Sequence, residues 1–322
     1  MQGLSLIHRA AEIIRQGGVV AFPTETVYGL GADAFNPLAV ARIFEIKDRP
    51  YFDPLIVHIS DFEEMAELAV GIPPDAEKLI QRCWPGPLTI VLLKKEAVPD
   101  LVTAGLPTVA IRMPKHPVAL QLIREAGCPV AAPSANPFGY VSPTTADHVR
   151  EQLEDRGDLI LDGGPCEVGL ESTIISFSKE KPRLLRPGGL PLEEIETIIG
   201  KVETNPVGET APSSPGRLPR HYAPRTPILI DRWKGDLEAY RDKRVGLLAF
   251  REPRVVSLPF DHVEVLSPGG DLREAASNLF AAIRRLDALD LEMILAEAVP
   301  EAGLGRAIMD RLRRASKRTG SR

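Results

Sequence analysis

The chain has 322 residues, of which 44% are hydrophobic and 26% charged, with a formal net charge of −5. This length suits two domains, and the composition is typical of an ordinary globular protein. The negative charge argues against nucleic-acid binding driven by bulk charge, although it leaves a local basic groove open.

Membrane insertion and secretion are not expected from this sequence. No apolar run approaches the roughly 20 residues of a membrane helix, and Glu12 and Arg15 interrupt the apolar positions near the N-terminus. The cysteines Cys83, Cys128 and Cys166 are scattered, odd in number and without metal-ligand spacing. We therefore expect reduced thiols, a cytoplasmic location and no membrane partner.

The first 200 residues read as strands that alternate with helices. Helical periodicity covers residues 4–16, 38–47, 61–69, 74–83, 117–126 and 191–199, and a further helix ends near residue 154. Apolar runs predict strands at residues 19–22, 55–59, 88–93, 108–114, 129–133, 159–161, 171–177 and 183–186. Such an alternation predicts an α/β domain over residues 1–200.

Residues 201–225 differ in composition and predict a linker. They are rich in proline and glycine, which favours irregular backbone, yet they also contain Arg217, Arg220, His221 and Tyr222. Linkers of this length are either disordered or functional.

A second, smaller α/β domain is predicted over residues 226–322. Its elements are strands at 227–230, 245–250 and 293–296 and helices at 234–241, 270–289 and 307–315. This order predicts a small parallel sheet of the Rossmann-like kind. The tail from Arg311 to Arg322 is basic, which fits a solvated helix end favoured by the helix dipole or, alternatively, a contact to RNA.

The stretch Phe44–Pro50 places two cations, Lys47 and Arg49, at the end of a predicted helix. The compact ammonium of Lys47 and the planar guanidinium of Arg49 together suit a triphosphate or a carboxylate. Pro50 cannot continue the helix and would hold both groups on a turn. The alternative is a solvated basic helix end, which dipole interactions alone would favour.

Polar residues also follow several predicted strands, where open α/β sheets place their ligands. Thr26 lies in a Thr-Glu-Thr sequence after the first strand, and Ser134 and Asn136 follow a later one. His58 and Arg112 lie at or near strand ends. Each has a plainer explanation: turn or capping residues for the hydroxyl and amide side chains, a core histidine and a surface arginine.

Common nucleotide and metal motifs are absent from the sequence. It contains no G-x-x-x-x-G-K-[ST], no G-x-G-x-x-G, and no histidine pair or carboxylate cluster with metal spacing. A nucleotide site would have to be built in another way.

One set of motifs occurs in a specific order along almost the whole chain. The set comprises Pro23–Leu30, Lys47-x-Arg49-Pro50, Ser134-x-Asn136, Ser142–Thr145, Glu171–Ile174, His221–Pro224 and Gly303–Met309. In this combination the chain resembles the L-threonylcarbamoyladenylate synthase family, in its two-domain type with a YrdC-like domain, a linker and a C-terminal domain. The resemblance implies a twisted α/β sheet with a large concave cavity in the first domain.

The resemblance also implies an activity and partners. L-threonine, bicarbonate or CO2, and ATP would give threonylcarbamoyl-AMP and pyrophosphate, with Mg²⁺ held mainly by phosphate oxygens and water. Other proteins would then transfer the threonylcarbamoyl group to tRNA, beside the anticodon.

Site residues follow from the resemblance, position by position. Those implied for threonine are Thr26, His58, Arg112, Ser134 and Ser172. Those implied for ATP are Arg49, Asp53, Thr108, Asn136, Ser142, Arg186 and Tyr222. Lys47, Arg49, Ser134 and Asn136 form the implied catalytic set, with no metal ligand from the protein.

The implied chemistry needs no covalent nucleophile, because fixed cations and hydroxyl donors can stabilise the charge that gathers on the carbamate and on phosphorus. His221 and Tyr222 could close over the nucleotide as a lid. Two positions depart from related sequences: Phe138 stands where a small residue is usual, and Asp53 where an amide is common. An acidic group is unfavourable near phosphates unless it meets magnesium.

Two other functions fit parts of the pattern. A non-catalytic RNA-binding module would use Lys47, Arg49 and Arg112 in a basic groove and would show salt-dependent affinity without nucleotide turnover. A different adenylate-forming enzyme would differ in its amine substrate, which a threonine hydroxyl contact would reveal.

Overall fold

The computed structural model describes residues 2–154, 156–204, 221–231, 240, 242–252 and 260–317, with side chains from Ser5 onward. Its helices are α1 (Gln2–Arg15), α2 (Pro37–Lys47), α3 (Met65–Leu68), α4 (Pro74–Cys83), α5 (Asp100–Thr103), α6 (Pro117–Ala126), α7 (Ala146–Leu153), α8 (Leu192–Ile199), α9 (Leu272–Asp287) and α10 (Gly305–Ala315). A 3-10 turn, Phe62–Glu64, precedes α3.

The strands form two separate sheets. They are β1 (Val20–Phe22), β2 (Gly29–Asp33), β3 (Ile56–His58), β4 (Leu88–Leu93), β5 (Thr108–Arg112), β6 (Val130–Ala131), β7 (Leu159–Ile160), β8 (Thr173–Ser176), β9 (Arg183–Arg186), β10 (Glu203–Thr204), β11 (Ile228–Ile230), β12 (Val245–Ala249), β13 (His262–Val265) and β14 (Met293–Ala296). The predicted two-domain α/β fold is therefore confirmed.

The first sheet is mixed and has ten strands in the order β10-β9-β8-β4-β5-β3-β6-β2-β1-β7. β4 runs antiparallel to β5 and parallel to β8, which brings the end of β5 beside the starts of β4 and β8. β3 is parallel to β5 with His58 opposite Arg112. Because of this register, the polar residues at these strand ends meet in one place.

The second sheet is fully parallel, in the order β11-β14-β12-β13. Helices α9 and α10 cover it, and α9 contributes a fully buried stripe that includes Ala276, Leu279, Phe280 and Ile283. Parallel strands buried in this way read as continuous apolar runs, which is why β12 and β14 were predictable from sequence.

The two domains share one apolar cluster. Val27, Val141 and Leu170 of the first domain pack into the same core as the side chains of α9 and β14. At Gly169 the backbone has φ +69°, and a Cβ there would lie 2.6 Å from the Cα of Ser277. Glycine is therefore required where the first domain approaches α9 so closely.

Several predicted elements differ in the structure. The helix predicted at 61–69 is the 3-10 turn followed by the single turn α3. The strand β2 was missed, as were β13 and the short helix α5. Within the predicted linker, β10 pairs with β9, whereas Arg217 and Arg220 lie outside the described residues, as does the helix predicted at 234–241 except for Tyr240.

Two further predictions concern the cysteines and the membrane. Cys83, Cys128 and Cys166 are all free thiols, and burial raises the pKa of Cys166 to about 12. Within the ranges that the structure describes, every helix is too short or too polar to span a bilayer.

Candidate active site

The ends of seven strands, β1, β2, β3, β5, β6, β8 and β9, surround a cavity of about 50 Å³. Its lining consists of Thr24, Thr26, Val27, Gly29, Arg49, Ile56, His58, Arg112, Ala132, Pro133, Ser134, Glu171, Ser172, Arg186, His221 and Tyr222. Ligand pockets usually measure some hundreds of Å³. The large concave cavity implied by the resemblance is thus not observed, because His221 and Tyr222 pack into the space.

Three arginines line this cavity: Arg49, Arg112 and Arg186, all nearly inaccessible to solvent. Arg112 at the end of β5 donates Nη2 to Glu25 Oε1 at 2.7 Å and Nε to the Gly86 carbonyl at 3.2 Å. Its guanidinium is therefore fixed in place, and the alternative of a surface arginine is excluded.

Arg186 ends β9 and reaches across to the start of β8. Its Nη2 donates to the carbonyl of Ser172 at 3.0 Å and to Ser172 Oγ at 3.2 Å. Ser172 Oγ also lies 2.7 Å from Thr89 Oγ1. This chain of bonds holds a hydroxyl and a guanidinium side by side on the cavity wall.

Lys47 and Arg49 are buried, so the alternative of a solvated helix end is wrong. Asp48 ends α2 in the left-handed conformation, which turns the chain back towards the sheet. Arg49 donates to the carbonyls of Asp53 and Pro54 and reaches the cavity.

Lys47 does not line the cavity. Its Nζ donates to the carbonyls of Ser134, at 2.5 Å, and Asn136. Burial, together with the nearby charge of Arg49, lowers the pKa of Lys47 well below its usual value. Lys47 therefore fixes the Ser134–Asn136 turn, on which Ser134 faces the cavity.

Asp53 is fully buried against Arg49, with Oδ2 2.8 Å from Arg49 Nη2. Burial raises the pKa of Asp53 and opposes the effect of Arg49. Neither Asp53 oxygen accepts a well-aligned hydrogen bond. The structure thus places Asp53 behind Arg49 rather than on the cavity wall.

His58 lines the cavity as a neutral imidazole. Desolvation, reinforced by the positive charge of Arg112, lowers the pKa of His58 to about 3. Its ring meets Phe22 edge-on at 6.0 Å, and Nδ1 has no hydrogen-bond partner among the described residues. A neutral imidazole with a free nitrogen can accept a hydrogen bond from a ligand.

Of the remaining predicted residues, Thr26 lines the cavity, whereas Ser142 and Asn136 do not. Thr26 Oγ1 lies 2.8 Å from Thr24 Oγ1. Ser142 lies behind the wall and donates to Glu171 Oε1 at 2.6 Å. Asn136 donates to the carbonyls of Pro137 and Tyr140.

Thr108 lies at the opposite end of β5 from Arg112, in a separate groove with Ser176 and Arg183. The structure therefore does not bring Thr108 into the cavity with the other predicted residues.

The segment 221–225 closes the cavity. The Ala223 N–H donates to the Gly139 carbonyl at 2.9 Å, while the Tyr222 ring stacks on Phe280 of α9 with centroids 5.6 Å apart. Tyr222 has φ +60°, an unusual value for an aromatic residue. Its hydroxyl has no hydrogen-bond partner among the described residues.

Sequence reasoning missed two carboxylates at this site, Glu25 and Glu171. Glu25 anchors Arg112, and Glu171 lines the cavity. Both lie inside motifs quoted above, but their role depends on arginines 87 and 140 residues away in the chain. No local pattern signals such pairs.

Charge is concentrated at this site to an extent not found elsewhere in the described residues. The buried lysine, arginine, aspartate and glutamate residues all belong to it: Glu25, Lys47, Arg49, Asp53, Arg112, Glu171, Arg186 and Arg311. Four arginines thus meet three carboxylates, apart from Lys47, whose pKa burial lowers. Buried charges need partners, so an excess of cationic groups favours an anionic ligand.

Comparison with known proteins agrees with this arrangement. A family model described as "Telomere recombination" (Sua5, YciO and YrdC) matches residues 12–188, and one described as "Threonylcarbamoyl-AMP synthase, C-terminal domain" matches residues 190–317. Threonylcarbamoyl-AMP synthase of Pyrococcus abyssi is 48% identical, covering 96% of this chain and 94% of its own; that of Bacillus subtilis is 45% identical, covering 96% and 92%.

A crystal structure of P. abyssi Sua5 complexed with L-threonine superposes with a TM-score of 0.90 at 47% identity, covering 96% of this chain and 94% of that one. Both sequence and fold agree along almost the full length. The chain therefore belongs to the two-domain threonylcarbamoyl-AMP synthase family, whose members are enzymes of the nucleotidyltransferase type.

Proposed function

We propose that this enzyme makes L-threonylcarbamoyl-AMP from L-threonine, bicarbonate or CO2, and ATP, with release of pyrophosphate. The observation that supports this best is the set of three buried guanidiniums, Arg49, Arg112 and Arg186, around one hydroxyl-lined cavity. Such a site suits a carboxylate and a phosphate chain at the same time. The bound L-threonine of the P. abyssi relative supports the choice of amino acid.

Threonine would occupy the part of the cavity beside Arg112. Arg112 would pair with its carboxylate, while Thr26, Ser134 and Ser172 offer hydroxyl groups to its polar atoms. Because His58 is neutral, Arg112 supplies the positive charge at this end of the cavity. This arrangement would orient the amino group towards the middle of the cavity, where the one-carbon acid must meet it.

ATP would lie towards Arg49, Arg186 and Tyr222, with Ser142 and Asn136 as further proposed positions. Thr108, in its separate groove, and Asp53, behind Arg49, would contact ATP only where the nucleotide extends beyond the cavity. The unprotonated threonine nitrogen attacks the carbon of CO2 and loses a proton to solvent, or it attacks bicarbonate, whose hydroxyl leaves as water with that proton. An oxygen of the resulting carbamate then attacks the α-phosphorus. Pyrophosphate leaves as the new phosphorus–oxygen bond forms. The fixed guanidiniums stabilise the charge on the carbamate and on phosphorus, and alignment of the reactants lowers the barrier further.

Magnesium bound by protein carboxylates does not fit the described residues. Glu25, Asp53 and Glu171 each lie against an arginine, and no group of three metal-binding side chains occurs in the described ranges. We propose that any Mg²⁺ is held by phosphate oxygens and water.

The segment 221–225 would act as the lid in this proposal. A cavity of about 50 Å³ cannot accept a nucleotide together with an amino acid, so His221 and Tyr222 must move out when ATP enters. Once closed again, they would keep water from the reactive intermediate. Partner proteins would then transfer the threonylcarbamoyl group to tRNA.

The test is pyrophosphate release from ATP by the purified protein, with and without L-threonine and bicarbonate, together with the mass of the nucleotide product. We expect release that depends on both, and an AMP adduct that contains threonine and one carbonyl. Tight, salt-sensitive tRNA binding without any adduct would instead identify an RNA-binding module.

A further inference from the structure

Arg311 is the one charged residue of the C-terminal domain that is buried within the described ranges. It lies on α10 and is 0% exposed, at the junction with the first domain. Of the two interpretations of the basic tail, a solvated helix end and an RNA contact, the first is wrong for Arg311. An arginine is buried at such a cost only when its donors find specific acceptors.

The contacts of Arg311 lead to the cavity. Its Nε donates to Glu171 Oε2 at 2.8 Å, and its Nη1 donates to the Pro187 carbonyl and to Asp310 Oδ2, both at 2.8 Å. The guanidinium carbon lies 5.1 Å from the centre of the Tyr222 ring. Glu171 and Tyr222 both line the cavity, so a residue of the C-terminal domain holds two parts of its wall.

Not every polar atom in this corner has a partner. Arg311 Nη2 and the Tyr222 hydroxyl are both buried without a hydrogen-bond partner among the described residues. A purely structural arginine at this depth would be expected to use all of its donors. The unpaired Arg311 Nη2 and Tyr222 hydroxyl therefore indicate that these residues are not placed for stability alone.

Glu171 connects Arg311 to the proposed nucleotide side. Its Oε1 accepts from Ser142, and its Oε2 accepts from Arg311. Arg186 is the other guanidinium that acts on this carboxylate. Without Arg311, Oε2 would lose its donor, and the carboxylate would be drawn to Arg186 and would disturb its orientation.

We infer that Arg311 is a positioning residue for the nucleotide half of the site. It fixes the Glu171 carboxylate and the Tyr222 ring so that Arg186 keeps its direction towards the cavity and the lid keeps its closed position. The nucleotide part of this inference rests on the proposed function. The C-terminal domain thereby contributes to the active site through a single helix.

The test compares Arg311→Met with Arg306→Met. Arg306 lies on the same helix and also reaches the first domain, where its Nη2 lies 3.1 Å from Glu193 Oε1, but this pair is partly exposed and away from the cavity. The first measurement is amide hydrogen exchange of residues 221–225 without ligands. We expect faster exchange in Arg311→Met, and the rate of the unmodified protein in Arg306→Met.

The second measurement is steady-state pyrophosphate release. In Arg311→Met we expect the KM for ATP to rise about tenfold, as the loss of ~1.4 kcal/mol of binding implies, while the KM for L-threonine changes less than about twofold. A general loss of folded structure would instead lower kcat with both KM values unchanged. Equal changes in the two KM values would overturn the inference, as would unchanged exchange of the lid.

A third variant covers poor folding of Arg311→Met. The double variant Arg311→Met/Glu171→Gln buries no unpaired carboxylate, so it should fold better and should exchange its lid amides more slowly than Arg311→Met. Exchange as fast as in the single variant would contradict the role of Glu171. If the unmodified protein releases no pyrophosphate, the proposed function fails, while the exchange comparison still decides whether Arg311 holds the lid.

Discussion

Both domains pack helices against a sheet, but they bury different kinds of side chain. In the C-terminal domain, β12, β14 and α9 bury apolar side chains, and Arg311 is the only charged residue buried there in the described ranges. In the first domain, strand ends and the loop after α2 bury seven charged residues at or beside one small cavity. An apolar core needs only similar neighbours, whereas buried charges need defined partners, so the first domain gives up stability in order to bind a ligand.

The largest effect should come from Arg49→Ala, which removes a guanidinium from the cavity wall. We expect the rate of pyrophosphate release to fall about 10²- to 10³-fold, as when one fixed donor to a charged transition state is lost. Arg42→Ala, on the solvent side of α2, the helix that precedes Arg49, is the matched control and should keep its activity.

Loss of Arg49 also leaves Asp53 buried without a partner, which lowers stability. The double variant Arg49→Ala/Asp53→Asn should therefore regain melting temperature but not activity. If Arg49→Ala keeps its turnover and the KM for L-threonine or ATP rises less than about tenfold, Arg49 does not act in the chemical step.

The next largest effect concerns Tyr222, where the two domains meet. Tyr222→Ala removes the ring that packs between Phe280 and Arg311, so we expect turnover to fall roughly 10- to 100-fold as water enters the site. Tyr222→Phe keeps the ring and removes only an unpaired hydroxyl. It should raise the KM for ATP by at most about tenfold, the value of one hydrogen bond. Equal losses in the two variants would argue against a lid.

A smaller effect is expected from Glu25→Gln, which weakens the anchor of Arg112. The KM for L-threonine should rise about tenfold with little change in the KM for ATP, because only the threonine side of the cavity depends on this pair. Asp147→Asn, which breaks the exposed pair with Arg150, serves as the control and should leave both constants unchanged. An effect on ATP alone would show that the two substrates are assigned to the wrong ends.

The smallest effect is a change in the pH dependence of stability. His58 is neutral when folded, since its pKa falls from 6.5 to about 3, so the unfolded chain binds one more proton between these values. Folding stability that depends on neutral His58 is therefore present above pH 6.5 and is lost as the pH falls towards 3.

His58→Gln should make this loss less steep by about 1.4 kcal/mol per pH unit. Urea unfolding at pH 7, 6 and 5 measures the slope. An identical slope in the variant and the unmodified protein would mean that His58 does not stay neutral in the fold.

The elements with strong local signals could be predicted from the sequence. The strand at Leu88–Leu93, the helix at Pro117–Ala126 and the strand at Met293–Ala296 have the predicted bounds. β2 was missed because Gly29 and Gly31 resemble a turn; a Cβ at Gly31 would lie 2.6 Å from the ring of Phe22, so the glycine serves close packing instead. β13 was missed because its side chains are only partly buried.

The site could be predicted only in part. Eight of the thirteen predicted residues line the cavity, including Arg49, His58 and Arg112. Lys47 could not be placed, because its partners are main-chain carbonyls almost 90 residues away. Arg311 looked like part of a solvated tail, because its acceptor Glu171 lies 140 residues earlier in the chain. Such pairs depend on tertiary structure, which local patterns do not contain.

The central claim is that buried guanidiniums make this cavity a carboxylate site. Calorimetric titration of L-threonine and of L-threonine amide into the unmodified protein tests it most directly, because the two ligands have nearly the same size and differ in the carboxylate. We predict that the amide binds at least about 30-fold more weakly, since the partner of a buried charge is lost. Equal affinity for the two ligands would contradict the claim.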